Sequence, residues 1–251
     1  MQVGRSGAVP QKGKTVATYE VIVTDVTCYG SLYCVAGWDR LTGQMIRPEP
    51  PGANAADEAS RFWNSGHAGP GKTFAVGNVV SLIATDALPN FLFPHATEDR
   101  IVDMGTPMKV LQTLDAQCMA AAVAAGVSGS LNLAFDGALV RAASRKAYVP
   151  TGNIGPSLGA IEIPSADIIF FEHRWGDEKP KLRARVTSAG QIFDLSVPAE
   201  AARARWRSAG LAGLRADVQA SNRVHIRVGL SRPMPSKPKE CYSQVNGVVF
   251  L

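Results

Sequence analysis

Two blocks of about five short β-branched segments, set on either side of a helix-rich stretch, restrict this 251-residue chain more than any other feature. In the first block, "YEVIVTDVT" (Tyr19 to Thr27) reads as a strand. "CYGS" then turns the chain and "LYCVAGWD" (Leu32 to Asp39) returns. "RLTGQ" is a second turn, and "MIRPEP" is a third strand that must stop at its prolines. After a loop with a short helix at Asp57 to Trp63, "FAVGNVVSLIAT" (Phe74 to Thr85) is a fourth strand. In the second block, "SLGAIEIP" and "ADIIFFEHRW" read as strands. "KLRARVTSAGQIFDLSV" reads as a hairpin, because Leu182, Ala184 and Val186 alternate with arginines. "PAEAARARWRSAGLAGLRADV" is helical, and "RVHIRVGLSRP" and "CYSQVNGVVFL" are the last two strands.

Strands and helices do not alternate one for one. That argues against a doubly wound parallel sheet and for small closed barrels. A five-stranded barrel with a helix late in the strand order is the pattern of an OB-fold. The expected fold class is all-β with some helix: two tandem OB-like five-stranded β-barrels joined by a helical segment. The expected divisions are a disordered basic arm at 1–18, a first barrel at 19–112, a helical connector at 113–150 and a second barrel at 151–251. The connector rests on Leu111, Leu114, Cys118, Met119 and Val123, which recur at helical spacing among alanines.

Composition narrows the function classes. Hydrophobic residues make up 46% of the chain and charged residues 19%, as in ordinary soluble domains. No apolar run approaches a membrane span, and the first 18 residues lack the apolar core of a secretory signal, so a cytoplasmic protein is expected. Cys28, Cys34, Cys118 and Cys241 have no metal-ribbon or redox spacing. Net charge is +5, and the excess is local: Arg174 to Lys239 holds 14 Lys and Arg against 5 Asp and Glu. Such a bias favours a polyanionic partner, with a merely solvated cationic face as the alternative.

"GHAGPGKT" (Gly66 to Thr73) fits the phosphate-loop pattern at every position. That loop needs a buried strand before it and a helix immediately after it. Here "ADEASRFWNS" precedes and the strand-like "FAVGNVVSLIA" follows. The match is therefore read as an accident, and Lys72 as a loop lysine that contacts an anion.

Three stretches together resemble the dual OB-containing domain, a bacterial family. They are "VIVTDVTCYGSLYCVAGWDRLTGQMIRPEP", then "FAVGNVVSL" with "PHATEDR", then "HIRVGLSRPMP" with "CYSQVNGVVF". The resemblance spans about residues 19 to 250. It implies a pair of OB barrels, recognition of nucleic acid or nucleotides, and a place in bacterial systems that defend against mobile DNA. It implies no reaction.

Several residues are candidates for contact. Arg47 and Arg232 each end a strand before a proline, which suggests an internal duplication. Each suits a phosphate or a guanine edge; an ion pair with Glu49, Glu98 or Asp99 is the alternative. Arg227 lies on the same strand as Arg232. Tyr242, Gln244 and Asn246 share one face of the last strand and suit stacking and base edges. Trp38 and Trp175 lie beside turns and are expected at the surface as stacking platforms. Arg203, Arg205 and Arg207 are read as solvated helix surface.

His95, Glu98, Asp99 and Asp103 cluster within nine residues, with His67 in the glycine loop. They are weak candidates for metal-assisted hydrolysis, against a structural ion-pair reading.

The expected function is a binding module for single-stranded DNA, RNA or a nucleotide-derived ligand. No cofactor or metal and no membrane contact is expected. A hydrolase built on His95, Glu98 and Asp99 is the alternative, as is an adaptor for a protein partner.

Overall fold

The computed structural model describes residues 16–54, 56–86, 92–174, 176 and 179–251. The arm at 1–15 and Trp175 lie outside the described residues.

The first sheet contains β1 (Val16–Tyr29), β2 (Leu32–Asp39), β3 (Gln44–Glu49), β4 (Asn78–Asp86), β5 (Asp99–Val102) and β6 (Lys109–Thr113). Its order is β1-β2-β3-β5-β4, with β4 returning to β1, so five strands close into a barrel and β6 hangs on the outside of β4. One long strand makes this closure possible. The first half of β1 pairs with β4 and the second half with β2, and the β1–β2 register shifts between Val23 and Asp25. That bulge adds the bend a small barrel needs. Val21, Val23, Val35, Ile46, Phe74, Val80 and Val102 fill the interior. Trp63 joins them and satisfies its indole N–H on the Pro48 carbonyl at 2.8 Å.

The connector departs from the expected helix. Residues from Lys109 form strand β6, and the helix α1 (Ala116–Ala122) begins only after Asp115. The Asp115 carboxylate accepts from the Cys118 backbone N–H at 2.7 Å, which fixes the helix start. The open edge of β4 offers ladder bonds to β6 that a longer helix would forgo, so pairing overrides the helical spacing of Leu111. Beyond α1, β7 (Val127–Ser128) runs parallel to the following strand β10 (Leu158–Pro164). β8 (Val140–Arg141) and β9 (Ala147–Pro150) form a hairpin whose second strand pairs with β15 (Glu240–Phe250). The connector is thus mostly not helical.

The second barrel repeats the first ring order with one change. Its opening strand is split: Pro164 and a 3-10 turn at Ser165–Asp167 separate β10 from β11 (Ile168–His173). β11 pairs with β12 (Lys181–Ser188), and β12 with β13 (Gln191–Ser196). β13 meets β15, which pairs with β14 (Arg223–Leu230), and β14 returns to β10. Ala189 and Gly190 both have positive φ at the β12–β13 turn, the conformation that matches strand twist in a two-residue hairpin. Helix α2 (Glu200–Gln219) sits between the third and fourth strands of the ring and is kinked at Gly210. Two tandem OB-like five-stranded barrels with some helix are therefore the architecture.

A separate apolar cluster joins the two. Ile22 and Val79 of the first barrel, Met119, Ala120 and Val123 around α1, and Val249 of the second are all buried together.

Candidate functional site

The sequence "IRPEP" ends β3 where it runs parallel to β5, pairing Arg47 with Asp99 and Glu49 with Ile101. This parallel ladder sets cation and carboxylates side by side at the edge of the first barrel. The Arg47 guanidinium donates to Asp99 at 2.6 Å and to the Ser157 hydroxyl at 2.8 Å. Ser157 in turn donates from both its hydroxyl and its backbone N–H to Glu98, each at 2.7 Å. Arg61, on a 3-10 turn capped by Asp57, makes a two-pronged pair with Glu49 at 2.8 and 3.1 Å and also reaches Asp99. Arg232, just beyond β14, crosses from the second barrel to Glu49 at 2.8 Å and Asp99 at 3.0 Å. Three guanidiniums thus face three carboxylates in a largely buried junction.

The electrostatics follow from that packing. Burial pushes Asp99 up, but the three neighbouring arginines outweigh it and hold the carboxyl well below the usual range. Burial, reinforced by Asp99, pushes Glu49 up to about 6. Burial, with Arg232 and Arg47 nearby, holds His95 well below its ordinary value, so the ring is neutral. Its Nε2 lies 3.0 Å from the Leu230 carbonyl, which makes Nε2 the protonated nitrogen and leaves Nδ1 as an acceptor.

Above this network lies a cavity of about 400 Å³ between the barrels. Its mouth is formed by the β1–β2 turn of the first barrel and the β14–β15 loop of the second. The Tyr29 ring stacks on Phe62 at 4.9 Å with planes 9° apart, and both rings line the cavity. Arg232, Gln244 and Asn246 reach it from the second barrel. Arg232 Nη1, Asn246 Oδ1 and His95 Nδ1 are buried with no hydrogen-bond partner among the described residues. A second groove of about 320 Å³ on the outer face of β12, β13 and β15 is lined by Lys146, Arg183, Lys237, Tyr242 and Gln244. The two share Ser231, Met234 and Gln244, so they adjoin.

The structure therefore brings Arg47, Arg232, Gln244, Asn246 and His95 to one cavity and Tyr242 to the adjoining groove. It keeps other candidates away. Arg227 is 1% exposed, inside the seam, 3.6 Å from Asp25. Trp38 is half-buried, not a surface platform, and packs closely on Gly126. Lys72 is exposed on a different hollow beside Glu200, and the loop N–H groups of Gly69 and Lys72 bond within their own loop. β4 and not a helix follows that loop, as its flanks predict. Asp103 caps the Gly105 N–H, and the His67 ring lies against Asn64.

The two Arg-Pro sites do not mark the same position in the two barrels, although the ring order repeats. Arg47 lies within the third strand of one ring, whereas Arg232 follows the fourth of the other. They are not equivalent, yet they meet on Asp99. Arg205 pairs with Asp217 at 2.8 Å on the helix surface. Arg61, Ser157 and Phe62 are site residues that the sequence does not single out. The nearest signal for Arg61 is its place in the short helix expected at Asp57 to Trp63, two residues before the tryptophan.

Among the described residues no group of three or more His, Cys, Asp and Glu side chains is arranged to hold a metal ion. No described helix is long and apolar enough to cross a membrane.

Two closed five-stranded rings with a shared cavity at their junction define a tandem OB-fold protein. Barrels of this type recognise oligonucleotides and oligosaccharides with the face of strands 2 and 3 and the loops between strands 1–2 and 4–5. The chain belongs to the dual OB-containing domain family, whose sequence profile matches residues 19–248, and this membership points to a nucleic-acid-binding type of module. No curated protein matches the sequence.

Proposed function

We propose that this protein binds single-stranded nucleic acid, with the strand running along the outer face of β12, β13 and β15 and ending in the junction cavity. One observation carries the reading: the groove and the cavity adjoin, with Gln244, Ser231 and Met234 lining both. Those residues belong to β15 and the loop between the fourth and fifth strands, the parts that OB barrels use for ligands. The groove supplies Lys146, Arg183 and Lys237, with Asp194, which is paired with Arg185, and Glu240, 3.6 Å from Lys237, as the carboxylates beside them. Tyr242 lies beside Tyr148, with ring centroids 5.9 Å apart, and gives a base a face to stack on. A nucleotide-derived small ligand uses the same cavity without the groove.

The hydrolase alternative has less support. Asp99 is committed to three arginines, and Glu98 accepts three hydrogen bonds from Ser157 and Leu158. Neither carboxylate is left to activate water.

The test is fluorescence anisotropy with labelled single-stranded DNA, single-stranded RNA and duplex at two salt concentrations. Single-strand binding should weaken with salt. Each lost phosphate contact should flatten the log–log slope by about 0.7. Lys237→Glu with Arg183→Gln should flatten it and lower affinity. Salt-independent binding, or equal binding to duplex and single strands, would sink the proposal.

A further inference from the structure

Resting on that reading, we infer that the junction cavity is a pocket for one uncharged nucleobase, and that phosphates are held only in the outer groove. Charge matching separates the two spaces. Arg47, Arg61 and Arg232 are already balanced by Glu49, Glu98 and Asp99, and Glu58 lines the cavity as well. A phosphate placed there would meet arginines already paired and would crowd Glu49 and Glu58. The groove gathers Lys146, Arg183 and Lys237; its Asp194 is paired with Arg185 and Glu240 lies 3.6 Å from Lys237, which leaves the groove net positive. The polyanion belongs there.

What the cavity offers instead fits a planar heterocycle. Arg232 Nη1 is an unused donor and Asn246 Oδ1 an unused acceptor, both buried. Nucleobases present donors and acceptors side by side on one edge, and arginine and asparagine are side chains that read such edges. Gln244 adds a second amide at the boundary with the groove. The Tyr29–Phe62 pair provides a face on which a third ring stacks. The volume of about 400 Å³ lies within the range of small-ligand pockets and is large enough for one nucleoside. A base entering from the groove must leave its neighbours' stack, so the cavity selects an end or an unpaired position.

Calorimetric titration of the whole protein with the four ribonucleosides, their deoxy counterparts and inorganic phosphate tests this. At least one nucleoside should bind, with affinity unchanged between low and high salt, and phosphate should not bind. Tyr29→Ala removes an exposed ring without opening the core, and should weaken nucleoside binding about tenfold. Gln244→Leu should change which nucleoside binds best. The surface variant Arg205→Gln, on helix α2 away from both spaces, should leave nucleoside binding intact. Failure of every nucleoside, or phosphate binding that Tyr29→Ala does not alter, would overturn the inference. If salt-sensitive oligonucleotide binding survives such a failure, the proposed function stands without the base pocket. If both are lost, the function falls too.

Discussion

Glu49 accepts two hydrogen bonds from Arg61 and one from Arg232, yet burial and the adjacent Asp99 push it up to about 6. The folded protein holds this proton more tightly than the unfolded chain does. Its contribution to stability is therefore complete below its ordinary 4.5 and lost as pH rises through about 6. Asp99, held below its ordinary 3.8, works in the opposite sense, and its contribution is lost only as pH falls below that value. Between pH 4.5 and 7.5, urea denaturation should show about 2 kcal/mol of stability lost through Glu49. Glu49→Gln mimics the protonated form and should lack this loss, gaining about 2 kcal/mol on the wild type between pH 4.5 and 7.5. An unchanged slope in the variant would disprove the assignment. At this scale the sequence pointed to Arg47 and Arg232 and named their acidic partners as the alternative to ligand contact. It left Arg61 unseen, because nothing local distinguishes an arginine in a packed loop from one in a solvated loop.

Elements rest on local pattern until two of them compete for the same chain. The alternation of Leu182, Ala184 and Val186 and the turn at Ala189–Gly190 made the β12–β13 hairpin legible. The chain at Lys109–Thr113 was not, since its helical spacing lost to the open edge of β4. The close packing of β14 on β15 positions the cavity. Gly229 lies opposite Gln244, and a Cβ there would fall 2.1 Å from the Asn246 amide nitrogen. Gly229→Ala should therefore push the Asn246 side chain aside at a stability cost of about 1 kcal/mol. Nucleoside titration should show weakened binding while melting changes little. A variant that binds normally would place Asn246 outside the site. β1 makes the same point at the first barrel. Gly37 opposes Val23 beside the bulge, and a Cβ there would sit 2.3 Å from the Ile22 carbonyl oxygen. Gly37→Ala should cost about 3 kcal/mol, read as a lowered denaturation midpoint at unchanged slope.

Across the whole molecule the barrels behave as one body because each completes the other's buried charges. Unfolding the second barrel alone would strip Arg232 from Glu49 and Asp99, Ser157 from Glu98, and Arg227 from Asp25. Leaving buried charges without partners is costly. Calorimetry should accordingly show a single transition, and two resolved transitions would contradict it. Met119→Asp, which puts a carboxylate into the apolar seam beside Ile22 and Val249, should lower that transition by several degrees. The sequence by itself determined the strand-rich class, the two barrels, most strand positions and the cationic bias of the C-terminal third. Periodicity and turn chemistry act over a few residues and are written there. Tertiary structure alone decided that Arg47, Arg61 and Arg232 meet around Asp99, that Arg227 is sealed inside, and that a cavity opens between two loops of different barrels. Those outcomes depend on contacts between residues as far apart as 183 positions, such as Glu49 and Arg232, which no local pattern encodes.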